Sequence, residues 1–284
     1  MGSARRPKNP IQALVWRIQR QNPRVKAALL ALAAVIGIVF LRYVVKDHDT
    51  LFVASECVHA LGIVILIYKL QKEKNCAGVS LRSQELTAIF LLVRLYCSTF
   101  MEQNIHTFLD TATLLVTAWV IYMIRTNLKA TYVQELDNMP LYYVLAPCAV
   151  LAILVHPLIR YHLINRVLWA FCVYLEAVSV LPQLRVMQKA KLIEPFTALY
   201  VFALGVARFI NCAHWLLQLI DGRGYLFYTL GTQLKHRSLI PYGLWPAMVV
   251  VAEIVQTFIL ADFCYYYVKS VAEGQMMIRL PSSV

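Results

Sequence analysis

Nine ionisable side chains stand inside otherwise apolar runs of this sequence: Glu56, His59, Arg94, Asp110, Glu176, Arg208, His214, Glu253 and Asp262. A planar arginine fork grips a carboxylate through two parallel N–H bonds, so the two arginines offer charge-pairing chemistry. The histidines add groups whose charge changes between about pH 5 and 8. Each charged group costs about 2.5–3.5 kcal/mol at the centre of a bilayer-spanning helix, which makes each a candidate for function. Two arginines cannot neutralise five carboxylates, so some of the acids must be hydrated or protonated.

Helical spacing sorts these residues. Arg208, Asn211, Trp215 and Gln218 fall at i, i+3, i+7 and i+10 on one face; Trp169, Cys172 and Glu176 form another, and Glu56 with His59 a third. These faces are expected to converge on a polar cavity. The plainer alternatives are a static Glu176–Arg208 ion pair, a satisfied core histidine at position 59 and packing roles for Trp169 and Trp215. No motif places a Ser-His-Asp or Cys-His constellation, a phosphate loop or an HExxH pair, so no enzyme activity is expected. The cysteines at 57, 76, 97, 148, 172, 212 and 264 are scattered without a CxxC pair, which reads as packing, and neither metal nor cofactor is expected.

The elements that must position these groups are membrane helices. The chain is 60% hydrophobic and 15% charged, against roughly 45–50% and 25% in soluble domains. Apolar runs approach the roughly 20 residues of a helical span, and no alternating ten-residue segments suggest a barrel. Spans are expected at about 27–45, 51–68, 84–101, 107–124, 141–156, 163–184, 197–220 and 244–268. The net charge of +12 sits mostly in short connections, so no nucleic acid is expected as a partner.

The same pass divides the chain. Residues 1–26 carry basic groups and no acid, as in a basic cytosolic tail. Within that tail, residues 11–20 read either as a short amphipathic helix or as a solvated arm. Residues 27–46 form an extra transmembrane helix with no signal-cleavage pattern, 47–268 the main domain and 269–284 a second cytosolic tail. The basic connections 69–83, 125–140 and 185–196 then face the cytosol, and residues 221–243 make a long lumenal connection.

From about residue 51 to the end, the chain resembles the K/HDEL receptor family, the ER lumen protein-retaining receptors. The motifs that carry the resemblance are "KNCAGVSLRSQ" (74–84), "LKATY" (128–132), "LWAFCVYLEAVSVLPQL" (168–184), "YVFALGVAR" (200–208) and "VQTFILADFCYYYV" (255–268). It implies an all-α polytopic membrane fold with a seven-helix, SWEET-like core. Two three-helix bundles, 51–124 and 163–268, would be joined by a linker helix at 141–156, with Ser83-Gln84 and Pro182-Gln183 as a weak internal echo.

The resemblance also implies a receptor of endoplasmic reticulum and Golgi membranes that binds C-terminal K/HDEL-type tetrapeptide signals of ER-resident proteins in a pH-dependent way. Its implied partners are those signals, the lipid bilayer and coat proteins, although the tail lacks a lysine cluster for coat sorting. Arg94 would anchor the ligand's terminal carboxylate, with Trp169, Trp215 and Asp262 as further cavity residues. His59 would sense pH, and Glu176 with Arg208 would form a buried pair that rearranges on binding. Phe52 and Gln218 stand where the family has arginines, Cys97 and Arg166 where it has acids, and Leu95, Ala207 and Asn211 where it has tyrosines. Side-chain readout of the signal is therefore expected to be altered. Two rival classes are a small-solute transporter of the same architecture and a trafficking scaffold acting through the basic tail and added helix.

Overall fold

In a bilayer each backbone N–H and C=O must be satisfied within the chain, and long apolar runs do this by closing into helices. The computed structural model describes residues 49–101, 105–157, 161–190, 193–221 and 245–273. The expected tail at 1–26, the helix at 27–46, nearly all of the 221–243 connection and the chain after 273 lie outside these residues. So do the side chains of Phe52, Trp215 and Gln218.

The described helices are α1 (Asp49–Lys72), α2 (Leu81–Met101), α3 (Ile105–Arg125), α4 (Tyr142–Leu154), α5 (Leu163–Val178), α6 (Leu181–Lys189), α7 (Pro195–Asp221) and α8 (Trp245–Ala272). They supply the seven passes expected from residue 51 onward, α5 and α6 sharing one. Among the described residues, five stretches are long and apolar enough to cross a membrane: Val53–Lys72, Thr107–Arg125, Leu163–Lys189, Pro195–His214 and Ala247–Val271. The α2 helix has the length but is diluted by Arg82, Glu85 and Arg94, while α4 has only 13 residues with Pro147 inside. Large side chains such as Leu61, Phe108, Leu115, Ile153 and Phe258 point outward, as a lipid-facing surface requires.

Residues from Leu51 onward form a unit of their own. Within it α2 packs on α3 and α5, α4 on α5, and α8 on α7 and α5. The first helix runs antiparallel along α7, where the Ser55 hydroxyl donates to the Ala207 carbonyl at 2.8 Å. One core cluster joins Leu66, Leu70, Val120, Ile124, Met187, Val201 and Leu260; a second joins Leu86, Phe90, Leu91, Cys148, Ala170, Leu175 and Ala252. The first draws on α1, α3, α6, α7 and α8, so helices from both expected bundles, 51–124 and 163–268, share a core.

Helices in lipid gain little from apolar burial against one another and associate through close packing of small residues. Both flanks of α7 follow this rule. A Cβ at Gly62 of α1 would stand 3.1 Å from the Ala203 Cβ, and a Cβ at Gly205 would overlap the Cys264 sulfur of α8.

The fifth pass is broken at Ser179-Val180, because Pro182 has no N–H to continue the ladder. The carbonyls released by the break find long-range partners. Gln256 Nε2 of α8 donates to the Glu176 carbonyl at 3.3 Å, and Ser83 Oγ of α2 donates to the Ser179 carbonyl at 2.7 Å.

Beside the break lies a polar clasp built from the quoted motifs. Gln183 accepts from the Ser80 N–H at 2.8 Å and donates to the Gly78 carbonyl at 2.7 Å. Asp137 accepts from Ser80 Oγ (2.7 Å), the Arg82 N–H (3.0 Å) and the Tyr132 hydroxyl (2.8 Å). Burial, and then that bond to Asp137, push the Tyr132 phenol above its ordinary range. The fully buried Lys69 ammonium reaches Glu194 and Thr197 Oγ1, both at 2.5 Å, and the Ala77 carbonyl at 2.9 Å.

The tight α7–α8 contact yields a prediction. Gly205→Ala is expected to destabilise the protein by about 1–3 kcal/mol through overpacking. Cys264→Ala in the same chain is expected to recover most of that loss, as read by thermal unfolding in detergent.

Candidate functional site

Four charged side chains from four helices form one chain of ion pairs in the bundle: Asp110 (α3), Arg94 (α2), Glu176 (α5) and Arg208 (α7). Arg94 Nε donates to Asp110 Oδ2 at 2.9 Å and its Nη2 to Oδ1, while Nη1 donates to Glu176 Oε2 at 2.9 Å. The other oxygen of Glu176 takes Arg208 Nη1 at 2.7 Å. The guanidinium of Arg94 also lies over the Phe90 ring, 5.5 Å from its centroid, so the residue one turn earlier steers it.

On α1, His59 Nδ1 stands 4.0 Å from Glu56 Oε2. His59 and Arg208 line one wall of a cavity of about 40 Å³, whose other polar walls include Gln84, Thr87, Tyr200 and Gln256. That is room for a few water molecules, and the lining supplies the polar partners that buried water needs. The cavity extends from the ion-pair chain toward the clasp, where Gln84 Nε2 donates to the Tyr200 hydroxyl at 2.9 Å. On α7 and α8, Asn211 Nδ2 donates to both oxygens of Glu253, each at 3.1 Å.

The structure brings together Arg94, Glu176 and Arg208, with His59 on the adjoining wall. Trp169 is half-buried and packs on the second core cluster, its carbonyl accepting from the Cys172 thiol. Trp215 belongs to α7, but its side chain lies outside the described residues. Asp262 stands apart: it is exposed on α8 and does not line the cavity, whereas Gln256 and Leu260 of the same helix do. A position two residues beyond Leu260 is turned about 200° away on a helix of 3.6 residues per turn, which explains its outward aim.

Among the departures, Arg166 Nη2 is 2.8 Å from His156 Nε2, and the Cys97 thiol is 3.9 Å from the Asn165 carbonyl. The pairing of Asp110 with Arg94 was missed by sequence reasoning. Its only signal was an acid inside a span, and no spacing rule links it to a residue on the preceding helix.

Because Glu176 serves two arginines, its loss is expected to be severe. Glu176→Gln leaves Arg208 without its ion-pair partner and should cost about 3–5 kcal/mol. Combining Glu176→Met with Arg208→Met should restore much of the stability, since Arg94 keeps Asp110. Unfolding midpoints in detergent for the two chains check this.

Comparison with known proteins places these features in a family. The family model for ER lumen protein retaining receptors matches residues 75–218. The chain is 33% identical over 232 residues to the ER lumen protein-retaining receptor erd-2.2 of Caenorhabditis elegans, covering 81% of this chain and 97% of that one. It is 30% identical over 230 residues to the ER lumen protein-retaining receptor of Drosophila melanogaster, again 81% and 97%, and 28% identical over 228 residues to that of Entamoeba histolytica, 80% and 96%. With these matches, and with the fold and the motifs at 74–84 and 168–184 already described, the chain belongs to the ER lumen protein retaining receptor family.

Proposed function

We propose that this protein is a non-enzymatic membrane receptor that binds the C-terminal carboxylate of short retrieval signals on ER-resident proteins. The observation that carries the reading is the partly buried Arg94 fork, which already holds a carboxylate in the two-bond geometry a peptide terminus would adopt. The curated relatives are named for retaining ER lumen proteins, which supports the same assignment. Residence in ER and Golgi membranes, an extra span at 27–46, cytosolic placement of both tails and a coat-protein partner belong to this proposal.

Ligand binding would engage Arg94 and rearrange the Glu176–Arg208 pair. His59 sits beside Glu56 and shares a wall with Arg208, so a proton on the imidazole adds a cation where a bound carboxylate adds an anion. Acidic conditions would therefore favour the bound state and neutral conditions release. The lost tyrosines and the Asn211–Glu253 pair fit a signal whose side chains differ from Lys/His-Asp-Glu-Leu.

The test is binding of a fluorescent peptide library randomised over its last four residues to the purified full-length chain. Peptides with a free C-terminus are expected to bind at least about tenfold more tightly at about pH 5.5 than at about pH 7.2. Amidating the C-terminus or substituting Arg94→Ala should cost about 2–5 kcal/mol, and His59→Ala should flatten the pH dependence. Equal binding of free and amidated peptides would overturn the proposal.

A further inference from the structure

Arg94 is already occupied. Both oxygens of Asp110 lie on its Nε–Nη2 edge, and Glu176 takes a donor from Nη1. A ligand carboxylate seeking the same edge meets another carboxylate, itself buried and held in the fork.

We infer that Asp110 is an internal competitor for the Arg94 anchor, a tethered carboxylate that a ligand's C-terminal carboxylate must displace. The inference rests on the receptor reading above and adds a specificity-determining residue to it.

The contact has the features that competition requires. It is bidentate and uses the two parallel N–H donors by which guanidinium recognises a carboxylate. It joins adjacent helices, so one side-chain rotation of Asp110 frees the edge without moving a backbone. A destination exists on the same face of α3: Thr107, one turn before Asp110, has a buried hydroxyl with no hydrogen-bond partner among the described residues.

Being part of the chain, Asp110 acts at a fixed and high effective concentration. A carboxylate that brings nothing else does not outcompete it; a peptide that adds contacts elsewhere in the cavity does. The competitor thus turns a general carboxylate grip into a threshold that selects ligands with a complete set of side-chain contacts.

The experiment compares the full-length wild-type chain with Asp110→Asn and Asp110→Ser, both checked for monodispersity and melting, against the free-terminus library and its amidated form. The expected result is that the Asp110 variants bind free-terminus peptides about tenfold or more tightly, with the gain lost on amidation. It also includes a broadened peptide range, because the threshold is lower. Binding that appears only in the variants supports the inference equally.

Wild-type binding that depends on Arg94, with Asp110 variants equal or weaker, overturns the inference alone and makes Asp110 an orienting residue. Absence of carboxylate-dependent binding in every chain overturns the receptor reading and the inference with it. If one variant fails to fold, the other gives the answer.

Discussion

The carboxylate of Glu176 is divided between two guanidiniums carried by different helices, one oxygen to Arg94 of α2 and the other to Arg208 of α7. In a low-dielectric bundle a buried charge without a partner is costly, so α2, α5 and α7 are obliged to keep these side chains at one level. Asp110 extends the chain to α3, and Gln256 of α8 bonds the backbone of Glu176 itself. One residue therefore connects four other helices, and a disturbance at either arginine is felt at the other through a shared acid.

The break at Pro182 complements this charge chain. The interrupted turn offers the Ser179 carbonyl to Ser83, and the Glu176 carbonyl, which Ser179 still bonds locally, accepts Gln256 as well. The proline's neighbour Gln183 ties the 74–84 segment to the same place through Ser80 and Gly78. Gly78 sits at φ +80°, a left-handed conformation that suits glycine, so the segment can fold back onto Gln183. Backbone irregularity is here confined to the region where side chains from other helices satisfy it.

Much of this architecture was legible in the residues. Apolar runs bounded by charged connections located every helix from residue 51 onward, and five of the described stretches are long and apolar enough to span by length and composition alone. The cost of a charge in lipid singled out Arg94, Glu176 and Arg208, which the fold brings together. Asp262 and Asp110 were harder for different reasons. The α8 helix is apolar on nearly all sides, with Ile254 and Phe258 outside as Leu260 is inside, so the sequence does not show which face turns inward. On α3 the polar positions Thr107, Asp110 and Thr117 share one face, but nothing local names the residue that Asp110 meets across the bundle.

The clasp was visible only as motifs. Asp137 and Lys69 act through Ser80 and Thr197, 57 and 128 positions away, respectively, and such pairings have no local periodicity to announce them. Composition likewise said nothing of how small the cavity is, since its volume depends on how the walls pack.

The small residues flanking α7 have a mechanical meaning. Large side chains interdigitating along a helix act as teeth that fix its position; glycine and alanine surfaces are smooth. With Ala203 against Gly62 the α1 flank of α7 is smooth and its polar pins fix it there, while on the α8 flank the Cys264 sulfur seats in the hollow of Gly205 and Phe202 stacks on Tyr267. Ser55–Ala207, Arg208–Glu176 and Asn211–Glu253 follow one another along the second half of α7, and Tyr200–Gln84 and Thr197–Lys69 hold the clasp end. The helix is thus latched on one side and bolted on the other, and the bolt at Arg208 shares its acid with Arg94.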